Sequence, residues 1–427
     1  MRTSLHKTIS NPTHFKQQLL TWAQSYREVA FLDSNESNQR HSNFDAVLAV
    51  DAFTSLKTDY FNAFEDLKQY QQTTNDWLFG YLSYELKNDV EVLYSANFDG
   101  LKFPDLYFFQ PKKLFLLKGN TLEIQYLNFC EDELDADFEA ILATRLQTTS
   151  SQPLEIQQRI PKEIYLSKVA RMLERIHLGD LYEANFCMEF YAEQATINPL
   201  EKFVKLNEIS QAPFATFFKN HHHFLLSASP ERYLKKEGEQ LISQPIKGTA
   251  KRSANPDEDE ASKASLATDP KERAENIMIT DLVRNDLSRT AQKGSVKVIE
   301  LCAIYSFLQV HQMISTITSR LDSQFTGIQV LKTTFPMGSM TGAPKISALK
   351  IIEDLEETKR GLYSGAVGYF TPMADFDFNV VIRSILYNEE KKYVSFSVGS
   401  AITSLSDPEK EYEECLLKAK AMFEVLR

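Results

Sequence analysis

Residues 224–249 place the tightest constraint on how this chain can fold. An apolar run over 224–228 is followed by Ser229-Pro230-Glu231-Arg232 and a second strand-like run over 233–236. The turn Glu237-Gly238-Glu239 leads to a return strand over 240–243 and then to Pro245-Ile246-Lys247-Gly248-Thr249. Strand runs separated by a glycine turn pair as a hairpin. Glu231 and Lys247 stand at similar sequence distances from that turn, so pairing brings them together at its open end. A carboxylate and an amine beside a glycine that admits a ligand can serve as acid and nucleophile. The same pair can equally be an ordinary cross-strand ion pair, which is worth little. Spacing alone leaves both readings open.

The wider chain limits what such a pair can act on. It has 427 residues, with 47 Lys and Arg against 58 Asp and Glu, for a formal net charge of −11. An acidic surface disfavours nucleic-acid partners and anionic membranes. It does not exclude an anionic substrate, which needs only one basic pocket. Cys130, Cys187, Cys302 and Cys415 are isolated, with no CxxC pair and no zinc spacing. That pattern fits a reducing compartment. The first 15 residues are polar and lack the apolar core of a signal peptide, and no apolar run reaches membrane length. The expectation is a cytoplasmic protein.

Strand-like runs at 29–32, 77–84, 107–109 and 113–117 fill the first part of the chain. The polar, pattern-free stretch 146–158 is the best linker, dividing an N-terminal region (1–150) from a second domain (151–427). A helix is expected over 162–177, with Gly179 as its stop. Asp269-Pro270-Lys271-Glu272 is a helix start, with Asp as N-cap, Pro at N1 and Glu at N3, and Asp407-Pro408 repeats it near the C-terminus. Further strands are expected at 295–301, 365–370, 378–386 and 393–398, and a helix at 346–355. The fold class is mixed α/β (α+β), with large, mainly antiparallel sheets flanked by helices. The triplet His221-His222-His223 reads as a polar hairpin tip, since adjacent residues on a turn rarely converge on one ion.

Two further groups of residues carry potential chemistry. Glu272 and Glu275 share a helix face, and Glu411 and Glu414 repeat the spacing. If the two helices meet, four carboxylates suit Mg²⁺; if not, they are solvated surface charges. The second group is anion-binding turns. Gly338-Ser339-Met340-Thr341-Gly342-Ala343-Pro344-Lys345 precedes a helix, whose first amides together with Lys345 can take a carboxylate. Gly399-Ser400-Ala401, after a strand, offers a second nest of amides. Arg383 lies in the middle of an apolar run, where a charge is normally paired with an anion. Ordinary turns explain these features as well, because a single Gly-rich turn is a weak signal.

Taken together the motifs resemble those of the chorismate-utilising enzymes: anthranilate synthase component I, aminodeoxychorismate synthase component I, and the isochorismate and salicylate synthases. The matching stretches are GDLYEAN (179–185), SPER (229–232), PIKGT (245–249), RAENIMITDLVRNDLSR (273–289), FPMGSMTGAPK (335–345), 381–383 and EYEE (411–414), in family order. FLDSN (31–35) and FGYLSYEL (79–86) match more loosely. The resemblance implies the fold of anthranilate synthase component I, with its sheets packed as a sandwich. Anthranilate synthases carry alanine at the middle of PIxGT; Lys247 there is the aminodeoxychorismate synthase pattern. Glu183 fills the slot where isochorismate and salicylate synthases carry a water-activating lysine.

The implied reaction is attack of Lys247 on C2 of the chorismate ring, with Glu231 protonating the C4 hydroxyl as it leaves. Ammonia then enters at C4 and expels the lysine. Lys247 needs a lowered pKa and Glu231 a raised one. By the same resemblance Glu275 and Glu414 would ligate Mg²⁺ directly, and Glu272 and Glu411 through water. Arg383 and the amides of Gly399, Ser400 and Ala401 would take one carboxylate, and Thr341, Gly342, Lys345 and Thr249 would lie at the substrate. Gln312 stands where the family often has histidine. No cysteine lies in a Gly-x-Cys-x-Gly elbow, so ammonia is expected from a separate glutamine amidotransferase subunit. FLDSN is the candidate vestige of the family's tryptophan site. Anthranilate synthase is the enzymatic alternative, and a non-catalytic chorismate-binding regulatory subunit is the other.

Overall fold

The computed structural model describes residues 1–37, 41–146 and 152–427. Residues 147–151 of the expected linker lie outside them. Every ladder between strands is antiparallel, apart from one isolated parallel bridge between Phe98 and Thr358. The pairing can be followed as a single path. It runs from Lys297–Ser306 through Val310–Arg320, Gln240–Gln244, Arg232–Glu237, Phe376–Val380 and Ala366–Phe370 to Leu78–Leu82. It continues through Leu106–Lys118, Ala46–Thr58, Glu28–Asp33, Phe214–Asn220, His223–Ser229, Ser384–Asn388 and Tyr393–Thr403, and ends at Glu183–Ala192.

The path folds back on itself around two apolar cores. Phe217 and Leu226 face one core, while their neighbours Phe218 and Leu225 face the other, as the two-residue period of a strand requires. The second core lies between the two halves of the ladder: Val47, Ala49, Phe218 and Leu225 meet Leu234, Leu241, Ile317, Val367 and Phe378 across it. The first core is roofed by helices, which contribute Phe15, Val169, Phe203, Cys415 and Met422. This is the expected α+β architecture of antiparallel sheets flanked by helices.

Local signals account for most of the elements. The helix Lys162–His177 ends two residues before Gly179, whose φ is +86°. Asp269 accepts the Glu272 N–H at 3.0 Å and starts the helix Pro270–Ser288; Asp407 does the same for Pro408–Leu426 through the Lys410 N–H at 3.1 Å. His221 and His222 form the hairpin tip, paired with Glu28 and Glu389.

Several boundaries differ from expectation. The runs 107–109 and 113–117 are one strand, Leu106–Lys118, because Pro111 falls at an irregularity in its pairing rather than at a turn. The run 378–386 is broken into Phe376–Val380 and Ser384–Asn388. Arg383 sits in the break, with a left-handed φ of 54°, and so is not mid-strand. The strand expected over 393–398 continues to Thr403, so Gly399-Ser400-Ala401 is not a turn.

Candidate active site

The last strand of the path meets, at one ion pair, the strand Ile246–Lys251, which branches from Val310–Arg320. Lys247, on Ile246–Lys251, places its Nζ 2.7 Å from Oε1 of Glu183, the first residue of Glu183–Ala192. A bulge aims the lysine. Ile246 pairs with Ile314 but Thr249 with Gln312, so one extra residue is held between these pairings. Gly248 takes a φ of +88° there, and a Cβ on it would stand 3.1 Å from Glu272 Oε2 and 3.2 Å from Leu266. Glycine is therefore required by both conformation and space.

Glu231 occupies the corner between His223–Ser229 and Arg232–Glu237 and is buried. Ser339 donates its hydroxyl to Glu231 Oε1 at 2.7 Å, and the Ile246 N–H donates as well. Burial pushes the Glu231 carboxyl up to about 7, against the lowering effects of Ser339 and Lys247. That is the direction a proton donor requires. Lys247 departs from expectation. Burial pulls it down, but the charges of Glu183, Glu275 and Glu231 outweigh burial and hold it well above the usual lysine value. Desolvation alone does not free this amine, because the pocket that buries it also supplies carboxylates.

The two diglutamate helices do face each other. The Glu414 charge helps burial raise Glu272. Burial pushes Glu275 up to about 7, and its Oε1 has no hydrogen-bond partner among the described residues. Lys271 Nζ lies 3.4 Å from Glu411 Oε1 and 3.9 Å from Glu275 Oε1. Glu411 also accepts from Ser400 Oγ, and Glu414 pairs with Lys418 at 2.6 Å. Burial acts to raise Glu414, but Lys418, Lys271 and Lys247 together hold it below the usual range. Among the described residues no three His, Cys, Asp or Glu side chains are already gathered tightly enough to hold a metal ion. The donor chemistry nonetheless fits Mg²⁺: all four groups are carboxylates, and Glu275 keeps a buried oxygen unbonded.

The substrate-binding candidates divide. The half-buried Arg383 guanidinium makes no hydrogen bond or ion pair with the described residues, and burial lowers its pKa. An unpaired cation in such a position is available to an anion. The Gly399 carbonyl accepts from Lys418 and the Ala401 carbonyl from Ser406, so both residues turn their peptide groups away from the partner strand. Their amides point the same way, while those of Ser400 belong to the ladder with Phe186. The nest of three amides is thus corrected to two alternating ones. Gly342 lies against the Glu183 strand, where a Cβ would stand 2.1 Å from the Glu183 carbonyl oxygen. Thr341 is fully buried and its hydroxyl is bonded to the Met337 and Gly338 carbonyls, so it shapes the loop. Lys345 is a clear correction: it is bonded to Asp286 at 2.6 Å and to the Thr334 carbonyl at 3.0 Å, which consumes its charge inside the fold. Thr249 is exposed, and Gln312 is buried with its Oε1 unpartnered.

Ser339 was not singled out by sequence reasoning, since a serine inside a Gly-rich turn has no pattern of its own. The FLDSN segment borders an open cleft, lined also by Phe44, Pro213, Phe214 and Arg232.

Residues 22–424 match the family described as chorismate binding enzyme. The chain is 34% identical over 354 residues to the "Anthranilate synthase component I-like protein" of Synechocystis, covering 82% of this chain and 72% of that one. It is 32% identical to aminodeoxychorismate synthase component 1 of Salmonella typhimurium, covering 81% and 76%. It is 34% identical to the chloroplastic aminodeoxychorismate synthase of Arabidopsis thaliana, covering 83% of this chain. The chain spans only 41% of that relative and 49% of the one from Streptomyces griseus. Among solved structures, anthranilate synthase component I of Streptococcus pneumoniae superposes with a TM-score of 0.78 at 23% identity, over 90% of this chain and 93% of that one. The menaquinone-specific isochorismate synthase of Escherichia coli gives 0.77 at 16% identity, over 100% and 94%. Such distant likeness shows a shared fold, that of anthranilate synthase component I. With its motifs gathered around Lys247 and Glu231, this chain belongs to the chorismate binding enzymes.

Proposed function

We propose that this protein makes 4-amino-4-deoxychorismate from chorismate and ammonia, as the synthase component of 4-aminobenzoate and folate biosynthesis. The observation that carries the reading is a largely buried lysine, Lys247, with 11% of its side chain exposed, beside a buried carboxyl, Glu231, that is held protonated up to about pH 7. Alanine in place of Lys247 would leave the pocket without a nucleophile, which is why the anthranilate alternative is disfavoured. The names of the Salmonella and Arabidopsis relatives support the same choice.

In this mechanism the neutral Lys247 amine bonds to C2 of the ring. The ring double bonds shift, the C4–O bond breaks, and Glu231 gives its proton to the departing hydroxyl, which leaves as water. Ammonia bonds to C4, the double bonds shift back, and the C2–N bond to Lys247 breaks. Glu231, now a carboxylate, takes the surplus proton from the new amine. One difficult displacement becomes two easier ones. Arg383 and the Gly399 and Ala401 amides bind a substrate carboxylate. Glu275 and Glu414, with Glu272 and Glu411 acting through water, would hold Mg²⁺, which supplies charge for a second carboxylate. Ammonia would come from a separate glutamine amidotransferase subunit, in keeping with the "component 1" of the relatives' names. Among the described residues no helix is long and apolar enough to cross a membrane, and the four cysteines are free and buried; both fit a cytoplasmic location.

The test is incubation with chorismate, Mg²⁺ and ammonium, with product identified by conversion to 4-aminobenzoate through an added lyase. Fluorescent anthranilate appearing in its place would overturn the proposal. Lys247→Ala should lower turnover at least about 10³-fold, whereas a non-catalytic regulatory subunit would be indifferent to it.

A further inference from the structure

Lys247 cannot attack while its amine is protonated, and the groups around it all hold the proton on. Glu183 faces it from the strand Glu183–Ala192, Glu231 from the hairpin corner, Glu272 and Glu275 from the helix Pro270–Ser288, and Glu414 from the C-terminal helix. Among the described residues only Glu183 touches the amine, at 2.7 Å. Glu231 is engaged by Ser339 and the Ile246 N–H, and Glu414 by Lys418.

Glu183 is 1% exposed, and its second oxygen, Oε2, is buried with no hydrogen-bond partner among the described residues. Its backbone is fixed on both sides, paired with Ala343 and with Thr403. The approach of Gly342, where no Cβ fits, holds that position. A carboxylate buried this way is balanced by a single ammonium. Passage of one proton along the existing hydrogen bond removes both buried charges together.

We propose that Glu183 is the base that takes the Lys247 proton and so generates the nucleophile. This rests on the reading of Lys247 as a nucleophile, since a lysine that only binds substrate needs no base. The Nζ–H bond breaks and an O–H bond forms on Glu183. The free amine bonds to C2 while Glu231 protonates the leaving hydroxyl. When ammonia expels the lysine as a neutral amine, Glu183 returns its proton to Nζ. The cycle closes with chorismate and ammonia consumed and the amino product and water formed. A glutamine at this position would keep the hydrogen bond but could not accept a proton.

The test measures formation of the covalent adduct by intact mass after rapid quench, with chorismate and Mg²⁺ present and ammonia withheld. Glu183→Gln should form adduct about 100-fold or more slowly at pH 7. Because Lys247 must then lose its proton to solvent, the ratio of wild-type to E183Q rates should fall tenfold per pH unit as pH rises, groups common to both proteins cancelling. A ratio independent of pH, or equal rates, overturns the inference and leaves Glu183 a structural partner. If E183Q does not fold, the wild type decides. Internal transfer predicts an adduct rate that falls above about pH 7 as Glu231 ionises, and a level rate there overturns the inference, because loss of the acid would be offset by gain of solvent-generated amine. Aminodeoxychorismate formed without any adduct overturns the base and the covalent route together. A wild-type protein yielding neither adduct nor aminodeoxychorismate overturns the proposed function itself.

Discussion

One pocket drives two side chains in opposite senses. Glu231 is buried with two hydrogen-bond donors and no contacting counter-charge, so desolvation prevails and its carboxyl rises to about 7. Lys247 is buried against a carboxylate, so the ion pair prevails and it rises too, where burial alone would lower it. The Glu231 value has a cost in stability. A carboxyl whose folded value lies above its ordinary 4.5 contributes stability below that value and loses it as pH rises through about 7. Glu231→Gln keeps an acceptor for Ser339 but has no charge to bury. It should be more stable than wild type at pH 8, by up to about 3 kcal/mol, and close to wild type at pH 4.5. Thermal denaturation at the two pH values checks this. The same variant should turn over poorly, and wild-type turnover should fall as pH rises above about 7, because the acid form of Glu231 is the one the proposed reaction uses. A pH–rate profile flat to pH 9 would contradict this assignment.

Lys247 is aimed by a bulge and the carboxylates by two capped helices, so changes to these elements should act at a distance from the chemistry. Gly248→Ala puts a Cβ at a φ of +88° and within 3.2 Å of Glu272 and Leu266. A loss of about 1–3 kcal/mol is expected, with a larger fall in turnover as the bulge re-forms and Lys247 swings. Denaturant titration alongside an activity assay separates the two effects. The two helices bring four carboxylates together, with Lys271 near Glu275 and Glu411 and Lys418 paired with Glu414. Mg²⁺ should therefore raise the melting temperature of the wild type by mass action on the folded state. Glu275→Gln should abolish that rise. An equal rise in both proteins would place the ion elsewhere.

One strand path joins the two parts of the sequence. The strand Leu78–Leu82 pairs with Ala366–Phe370, and Glu28–Asp33 pairs with Phe214–Asn220. Both apolar cores draw side chains from either side of the sequence boundary near residue 150. A chain beginning at residue 152 would bare the edge of Ala366–Phe370 and lose more than a third of each core. It should aggregate or remain partly unfolded, which circular dichroism and size-exclusion chromatography would show. Co-expression with the segment 1–146 should rescue it. A monodisperse, cooperatively melting 152–427 fragment would mean that the catalytic region is self-sufficient.

What the sequence determined by itself was local or nearly so. Asp269-Pro270 and Asp407-Pro408 declare their helices because a cap is a contact over three residues. Glu231 and Lys247 could be brought together because a single turn at Gly238 separates them. Everything that depends on distant partners was decided by the tertiary structure. Lys345 has the chemistry of an anion binder, but Asp286 and the Thr334 carbonyl consume it. Arg383 reads as strand, yet it occupies a break between strands, its guanidinium unpaired among the described residues. Ser339 gains a role only because its turn packs under Glu231. The protonation of Lys247 depends on Glu183, 64 residues away in sequence. Burial and ion pairing change a side chain's acidity according to what surrounds it, and those surroundings are assembled only when the strands carrying Lys247 and Glu183 come together.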